Sequence, residues 1–316
     1  MLNGCRRSWR CGYATAMQVE LIGVQFDGYG RPGNQTSASR ALRSAGFADA
    51  FAGANDRGDV IAHDQSGARG PTSIINERAM IATQASVRHL VADALARGCF
   101  PVVFGGDCTS LLGSIPAVRD ITGTTGLLHI DGHEDTTPLD VSEDGEGANA
   151  EIGLLLGIVG RSIDSPLAES PPVLPLDALA LLGQRDDTWR RDLNVSSLTG
   201  IGVWKRDAQA VARNPSEAAR AAALHVAEQT KAWWLHVDVD VLDPVVFPAQ
   251  GLPEVPDEPG GLTVEQLTAL VTTAVAIPGC AGLSLAIFDP EQDADGSCAR
   301  ILVDLARQVS AIISDR

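Results

Sequence analysis

The chain has 316 residues, 45% of them hydrophobic, and a formal net charge of −16. That length buries a sizeable core, as one large α/β domain or two smaller ones. The acidity, with no lysine or arginine cluster of any length, argues against nucleic acid and anionic membrane surfaces as partners.

Residues 1–16 carry Arg6, Arg7 and Arg10 but lack the apolar stretch of a signal peptide, and are expected to be a disordered extension. Residues 17–316 then form a single domain. No apolar run reaches transmembrane length. The six cysteines show no CxxC pair and no regular spacing, which favours reduced thiols and a cytoplasmic location over a disulfide framework.

Val19 to Asp27 reads as a first strand, followed by a loop through Gly28, Gly30 and Gly33 and a short helix from Ser37 to Ala45. Residues 48–72 have no clear period and are expected to be irregular. Ile75 to Arg97 carries Met80, Val87, Leu90, Val91 and Ala94 at helical spacing, with Gly98 placed to stop the helix. Pro101 to Phe104 is a short buried strand running into Gly105-Gly106-Asp107-Cys108-Thr109-Ser110, where a helix starts. Thr125 to Ile130 is the next strand, and Ile152 to Val159 is too short to assign to helix or strand. Leu179 to Leu182 is a strand ending in a polar loop, and Ser216 to Gln229 a helix with Pro215 near its start. Trp233 to Asp238 has the near-continuous apolar character of a strand covered on both faces. Thr263 and Gln266 have capping-box spacing before a helix to about Ile277. Ala281 to Phe288 is a last strand and Cys298 to Ile313 a last helix. The alternation predicts an α/β fold, a doubly wound and mostly parallel sheet with helices on both faces, whose ligands sit at the carboxyl ends of strands.

Chemistry concentrates at two of those ends. Leu127 to Ile130 runs into Asp131, His133 and Asp135, which at a spacing of two leave the same side of an extended backbone. Trp233 to Val237 runs into Asp238 and Asp240, again on one face. So many converging carboxylates repel one another and are costly to desolvate unless a cation joins them. With Cys108 as a further candidate, the donors are mostly hard oxygen, which suits manganese more than zinc. His129 and His236 each stand two residues before a ligand and read most simply as hydrogen-bonded core histidines. Glu134 points away, toward solvent or a supporting role. Asp107 and Asp243 brace loops, and Trp233 and Trp234 are core.

In order and spacing, three segments resemble the motifs of the ureohydrolase family (arginase, agmatinase and formiminoglutamase): Gly105 to Ser110, Asp131 to Asp135, and Asp238 to Pro244. The resemblance implies an arginase-like three-layer sandwich holding two manganese ions bridged by hydroxide. Asp131 and Asp238 would each touch both ions, His133 and Asp240 would complete one position, and Asp135 and Cys108 the other. It also implies a small-molecule substrate cleaved at a linear C–N bond, and assembly as a homo-oligomer, trimer or hexamer.

Three departures stand against that pattern. Cys108 replaces a histidine ligand and is softer than Mn²⁺ prefers, so one position is expected to be weak or empty. The stretch from Asp144 to Glu151 lacks the family's proton-shuttling histidine, leaving Glu146 and Glu151 as candidate substitutes. Ile287 replaces the carboxylate that clamps guanidinium, with Asp289 following it. Thr136 and Thr137 are placed to line the pocket. The sequence therefore points to a metal-dependent hydrolase of a small guanidino, amidino or amide compound other than L-arginine. The alternative is a catalytically silent metal-binding relative that serves as a structural or sensing oligomer partner.

Overall fold

Short apolar runs that punctuate longer amphipathic segments become parallel strands joined by helices, because each strand buries both faces. The computed structural model describes residues 17–28, 35–139, 145–158, 167, 172–192, 194–250 and 260–316. The expected extension at residues 1–16, Gly30, Gly33 and Asp144 lie outside the described residues.

The strands are β1 (Val19–Gln25), β2 (Asn55–Ile61), β3 (Phe100–Phe104), β4 (Gly126–Ile130), β5 (Leu179–Leu182), β6 (Trp204–Arg206), β7 (Trp233–Asp238) and β8 (Cys280–Ala286). They form one sheet in the order β2-β1-β3-β8-β7-β4-β5-β6, and every neighbouring pair is parallel. Helices α1 (Ala38–Ser44), α7 (Pro215–Gln229), α8 (Val264–Ala276) and α9 (Ser297–Ser314) pack along one face. Helices α2 (Glu77–Ala96), α3 (Leu111–Thr122) and α4 (Glu151–Leu156) cover the other. Two shorter helices, α5 (Asp187–Asp192) and α6 (Ala208–Arg213), flank the β5–β6 edge. This is the expected doubly wound α/β architecture.

Side chains alternate between the two cores as a pleated strand requires. In β4, Leu127 belongs to the core under α2 and α3, whereas Leu128 and Ile130 belong to the opposite one. Helix signals also hold: Pro215 occupies the first turn of α7, and the capping box of Thr263 and Gln266 opens α8.

Some expectations are corrected. The supposedly irregular stretch 48–72 contains β2, an edge strand with one side open to solvent. Its Asn, Asp and Arg residues hide the apolar signal. Residues 151–156 are helical, which settles the ambiguous run. The polar stretch after β5 carries α5, β6 and α6, of which the sequence showed only the loop. The last strand ends at Ala286, before Ile287, because Ile287 turns to φ +71°.

The β3 exit depends on backbone freedom. Gly105 and Gly106 have φ of +84° and +69°, a region costly for residues with a side chain. A Cβ on Gly105 would also sit 2.7 Å from the Ser39 nitrogen. The turn they make delivers Cys108 to the centre of the molecule.

Candidate metal centre

The carboxyl ends of β4 and β7 lie side by side, with His129 opposite His236 in the strand register. The metal-donor candidates gather just beyond them, although the pleat is not what brings them together. β4 stops at Ile130, and the chain after it is a turn in which Asp131 Oδ1 accepts from the His133 amide at 2.6 Å. Asp135 is in the left-handed region at φ +47°, a conformation aspartate tolerates better than most residues. On the β7 side, Asp238 caps a 3-10 turn over Val239–Val241 and accepts from the Asp240 amide at 2.7 Å. Local hydrogen bonds to aspartate side chains therefore shape both ends.

Three buried donor sets result, each with ligand atoms within 4.8 Å of one another: Cys108, Asp131, His236 and Asp238; His129, Asp135 and Glu151; and Asp131, His133 and Asp135. Asp240 joins through His133, whose Nδ1 stands 2.9 Å from Asp240 Oδ2. All six expected ligands are thus brought together. Cys108 opens a 3-10 turn that leads into α3, and its thiol donates to Asp238 Oδ2 at 2.7 Å.

The electrostatics are those of a cluster short of positive charge. Burial pushes the Asp135 and Asp238 carboxyls well up, and neighbouring aspartates push them further. Burial, with Asp238 and Asp131 close by, raises the Cys108 thiol well above its usual value. Burial also lifts Glu151 from 4.5 to about 7, despite the nearby His129. Burial opposes charge on His133, but Asp240 overrides it and holds the imidazole well above its ordinary value. Asp240 is correspondingly held low, burial notwithstanding.

The fit to metal rests on unsatisfied atoms. Asp131 Oδ2, both ring nitrogens of His129 and both carboxyl oxygens of Glu151 are buried without a hydrogen-bond partner. Orphaned polar atoms of this kind are costly in a folded protein, and here several converge on one volume. A set of carboxylates with imidazole and one thiol suits a divalent transition ion.

These shifts fix how stability depends on pH once bound ions are removed. The folded-state values of Glu151, Asp135 and Asp238 lie above their unfolded ones, so the folded chain holds extra protons. That contribution is full below about pH 4 and fades as pH rises, through about 7 for Glu151. Each such group costs roughly 1.4 kcal/mol per pH unit across its window. Raised His133 acts in the same direction, and lowered Asp240 contributes no change above pH 5. Ions displace these protons, so the thermal-melt gap between Mn²⁺-loaded and EDTA-treated protein is expected to widen from pH 5 to pH 8. A constant gap would mean that the cluster does not bind the ion.

The remaining expected site residues fall as follows. Thr136 and Thr137 are buried just past Asp135; the Thr136 hydroxyl accepts from Arg190 Nη2 at 2.5 Å, and the Thr137 amide donates to the Asn149 carbonyl. Asp289 is buried with its carboxylate occupied, accepting from the Glu291 amide at 2.9 Å and Gln292 Nε2 at 2.8 Å. Ile287 is buried at the end of β8, where Ala286 pairs with Asp238, and its amide donates to the Gly106 carbonyl. Glu146 is half-buried and outside the donor sets found among the described residues, whereas Glu151 is inside one. Asp107 braces loops as expected, accepting from the Gly28 amide at 2.9 Å and the Thr109 amide at 3.1 Å.

The expectation for His129 is overturned, and of the two roles left open for Glu134 the supporting one holds. His129 is not a hydrogen-bonded core histidine: its Nε2 faces Asp131, Asp135 and Glu151. His236 fits the core reading on one side, with Nδ1 2.6 Å from Ser284 Oγ, but its Nε2 faces the Cys108 sulfur at 3.2 Å. The period of two already put both rings on the ligand face. Glu134 is not solvated. It is fully buried, 2.5 Å from Lys205 Nζ, and accepts from Ser197 Oγ and the Leu198 amide at 2.7 Å each. Lys205 lies on β6, 71 residues away, so no local pattern announced the pair.

A model of the arginase family matches residues 17–311. An arginase of Eremothecium gossypii is 28% identical over 209 residues, covering 64% of this chain and 51% of that protein. The chain thus spans about half the length of that relative. A guanidinobutyrase of Pseudomonas aeruginosa is 23% identical over 225 residues, covering 69% of this chain and 62% of its own. The solved structure of an arginase from Bacillus caldovelox superposes with a TM-score of 0.78 at 21% identity, covering 93% of this chain and 98% of that one.

Proposed function

The chain belongs to the arginase family, and from that premise we propose that it is a manganese-dependent hydrolase of a linear C–N bond. Its substrate is a small guanidino, amidino or amide compound other than L-arginine. Asp131 and Asp238 would be shared by the two ions, His133 and Asp240 would help hold one, and Asp135 would hold the other with Cys108 as a candidate ligand. When bound, such ions lower the pKa of a water molecule and polarise the carbon it attacks.

The chain's own residues orient these groups. The Asp131 and Asp238 carboxylates are steered by the His133 and Asp240 amides, which leaves Asp131 Oδ2 free and turns Asp238 Oδ2 toward the Cys108 thiol. Buried Arg190 holds Thr136, fixing the wall just past Asp135. Of the two candidate proton carriers, Glu146 and Glu151, we assign the role to Glu146, because it is half-buried and outside the donor sets. The buried carboxylates and imidazoles that a metal needs are kept together, which weighs against a silent relative.

The observation that carries the substrate reading is Ile287. A β-branched residue at positive φ costs on the order of 1–3 kcal/mol of backbone strain, yet this one is held buried directly after Ala286, which pairs with Asp238. An aliphatic side chain there offers a guanidinium no counter-charge, and burying that cation unpaired costs several kcal/mol. Asp289 does not compensate, because its carboxylate is already engaged. Within that range the reading therefore ranks neutral or weakly basic C–N groups, such as an amide, ahead of a guanidinium.

The test is a screen of guanidino, formimino and amide compounds with Mn²⁺-loaded protein, following released urea, formamide and ammonia. Turnover of at least one of these with little activity on L-arginine is expected. Arginine hydrolysis at the rate of an arginase would overturn the reading of Ile287. The protein is further proposed to act in the cytoplasm as a homo-oligomer, trimer or hexamer, which light scattering of the purified chain would check. In keeping with a reducing compartment, Cys99, Cys108, Cys280 and Cys298 are free thiols, and no helix among the described residues is long and apolar enough to cross a membrane.

A further inference from the structure

We propose that His129 and Glu151 are themselves metal ligands, completing with Asp131 and Asp135 a buried cation position in which Cys108 takes no part. The inference rests on the metal-dependent reading above and changes which residues hold the second ion.

Three distances share one origin. His129 Nε2 lies 3.3 Å from Asp131 Oδ2, 3.7 Å from Glu151 Oε1 and 3.9 Å from Asp135 Oδ2. Donors about 2.0–2.2 Å from a divalent ion stand roughly 3–3.5 Å from one another. Each of these three separations from His129 is therefore within a few tenths of an ångström of what two donors on one ion show. The two longer separations exceed any hydrogen bond. Neither Nε2, Asp131 Oδ2 nor either oxygen of Glu151 has another partner, and His129, Asp131 and Glu151 are wholly buried. The His129 ring, the Glu151 carboxyl and one oxygen of Asp131, enclosed and without hydrogen bonds, lack only a positive centre.

The chain also builds this position from separate elements. His129 projects from β4 on the α3 and α4 side of the sheet, stacked on His236 with ring centroids 5.1 Å apart. Glu151 stands in the first turn of α4. The Gly153 amide donates to the Asp135 carbonyl at 3.1 Å, tying α4 to the ligand loop. Cys108, by contrast, is directed to Asp238 and His236, outside this set. One imidazole and three carboxylates form a harder donor set than one containing a thiol, which suits Mn²⁺.

Ion content decides the matter without reference to turnover. Wild-type protein stripped with a chelator and dialysed against Mn²⁺ is expected to take up two equivalents per chain. Glu151→Gln, which keeps the side chain's shape, is expected to lose one equivalent or to bind it at least about 10-fold more weakly. Cys108→Ser should retain both. Unchanged stoichiometry and affinity in Glu151→Gln, with an ion lost from Asp240→Asn, would overturn this assignment and leave the proposed hydrolase standing. Wild-type protein that takes up no ion would sink both. Should Glu151→Gln fail to fold, anomalous diffraction at the manganese edge from wild-type crystals replaces it. A peak within bonding distance of His129 Nε2 and Glu151 Oε1 is expected, and a map without one refutes the proposal.

Discussion

Exchanging Asp131 for asparagine is expected to lower kcat/KM by about 1,000-fold or more on whichever substrate the screen identifies, and to cost the chain at least one bound ion. Asp131 belongs to two of the three donor sets, with Cys108, His236 and Asp238 on one side and His133 and Asp135 on the other. Its two oxygens face different partners: Oδ1 takes the His133 amide, and Oδ2 stands 3.3 Å from His129. An amide keeps the shape but removes the negative charge and one acceptor oxygen, so it cannot serve two cations. Ions that activate water supply most of the rate in such a centre, and losing one removes several kcal/mol of transition-state stabilisation. Steady-state kinetics together with ion content check the outcome. Full activity in the variant, with both ions bound, would show that Asp131 does not join the two positions.

The second large effect concerns stability and lies beside the centre. Glu134→Ala is expected to destabilise the chain by about 3–5 kcal/mol, as breaking a buried ion pair does. The side chain is fully buried, and Lys205, itself largely shielded, has among the described residues only exposed Asp187 as another carboxylate within 4 Å. Arg190 loses a neighbour at 3.6 Å as well. Burial opposes charge on both partners, yet Lys205 holds the Glu134 carboxyl below its ordinary value, and Glu134 holds Lys205 above its own. Chemical denaturation with and without Mn²⁺ separates this role from a metal-binding one. A loss below about 1 kcal/mol would mean that the pair is solvated in practice. Because Glu134 lies between His133 and Asp135, a modest fall in ion affinity should accompany the instability.

Ile287 and Glu151 show why a motif alone under-describes the site. At Ile287 the change of side chain was plain in the sequence, and its meaning followed from charge: an aliphatic group cannot answer a cation. The positive φ, which puts the residue past the end of β8, was not plain, because it goes with a hydrogen bond to the Gly106 carbonyl in the turn after β3, far away in the chain. Glu151 stood in the sequence as a candidate proton carrier only because the loop lacked a histidine. Its place beside His129 arises from α4 folding back over the carboxyl end of β4.

Read by itself, the sequence determined the parallel α/β class, most strand positions and the six side chains that the fold gathers at the ends of β4 and β7. Buried strands and carboxylates at their ends leave a local imprint: continuous apolar runs, a period of two, and acids where apolar character stops. It did not determine β2, β6, the Glu134–Lys205 pair or the approach of Glu151 to His129. An edge strand is half-solvated and carries no apolar signature, and pairs between residues tens of positions apart exist only once the sheet order is set. Only the tertiary structure, by laying β7 against β4 and α4 across their ends, decided which imidazoles and acids face the same few cubic ångströms.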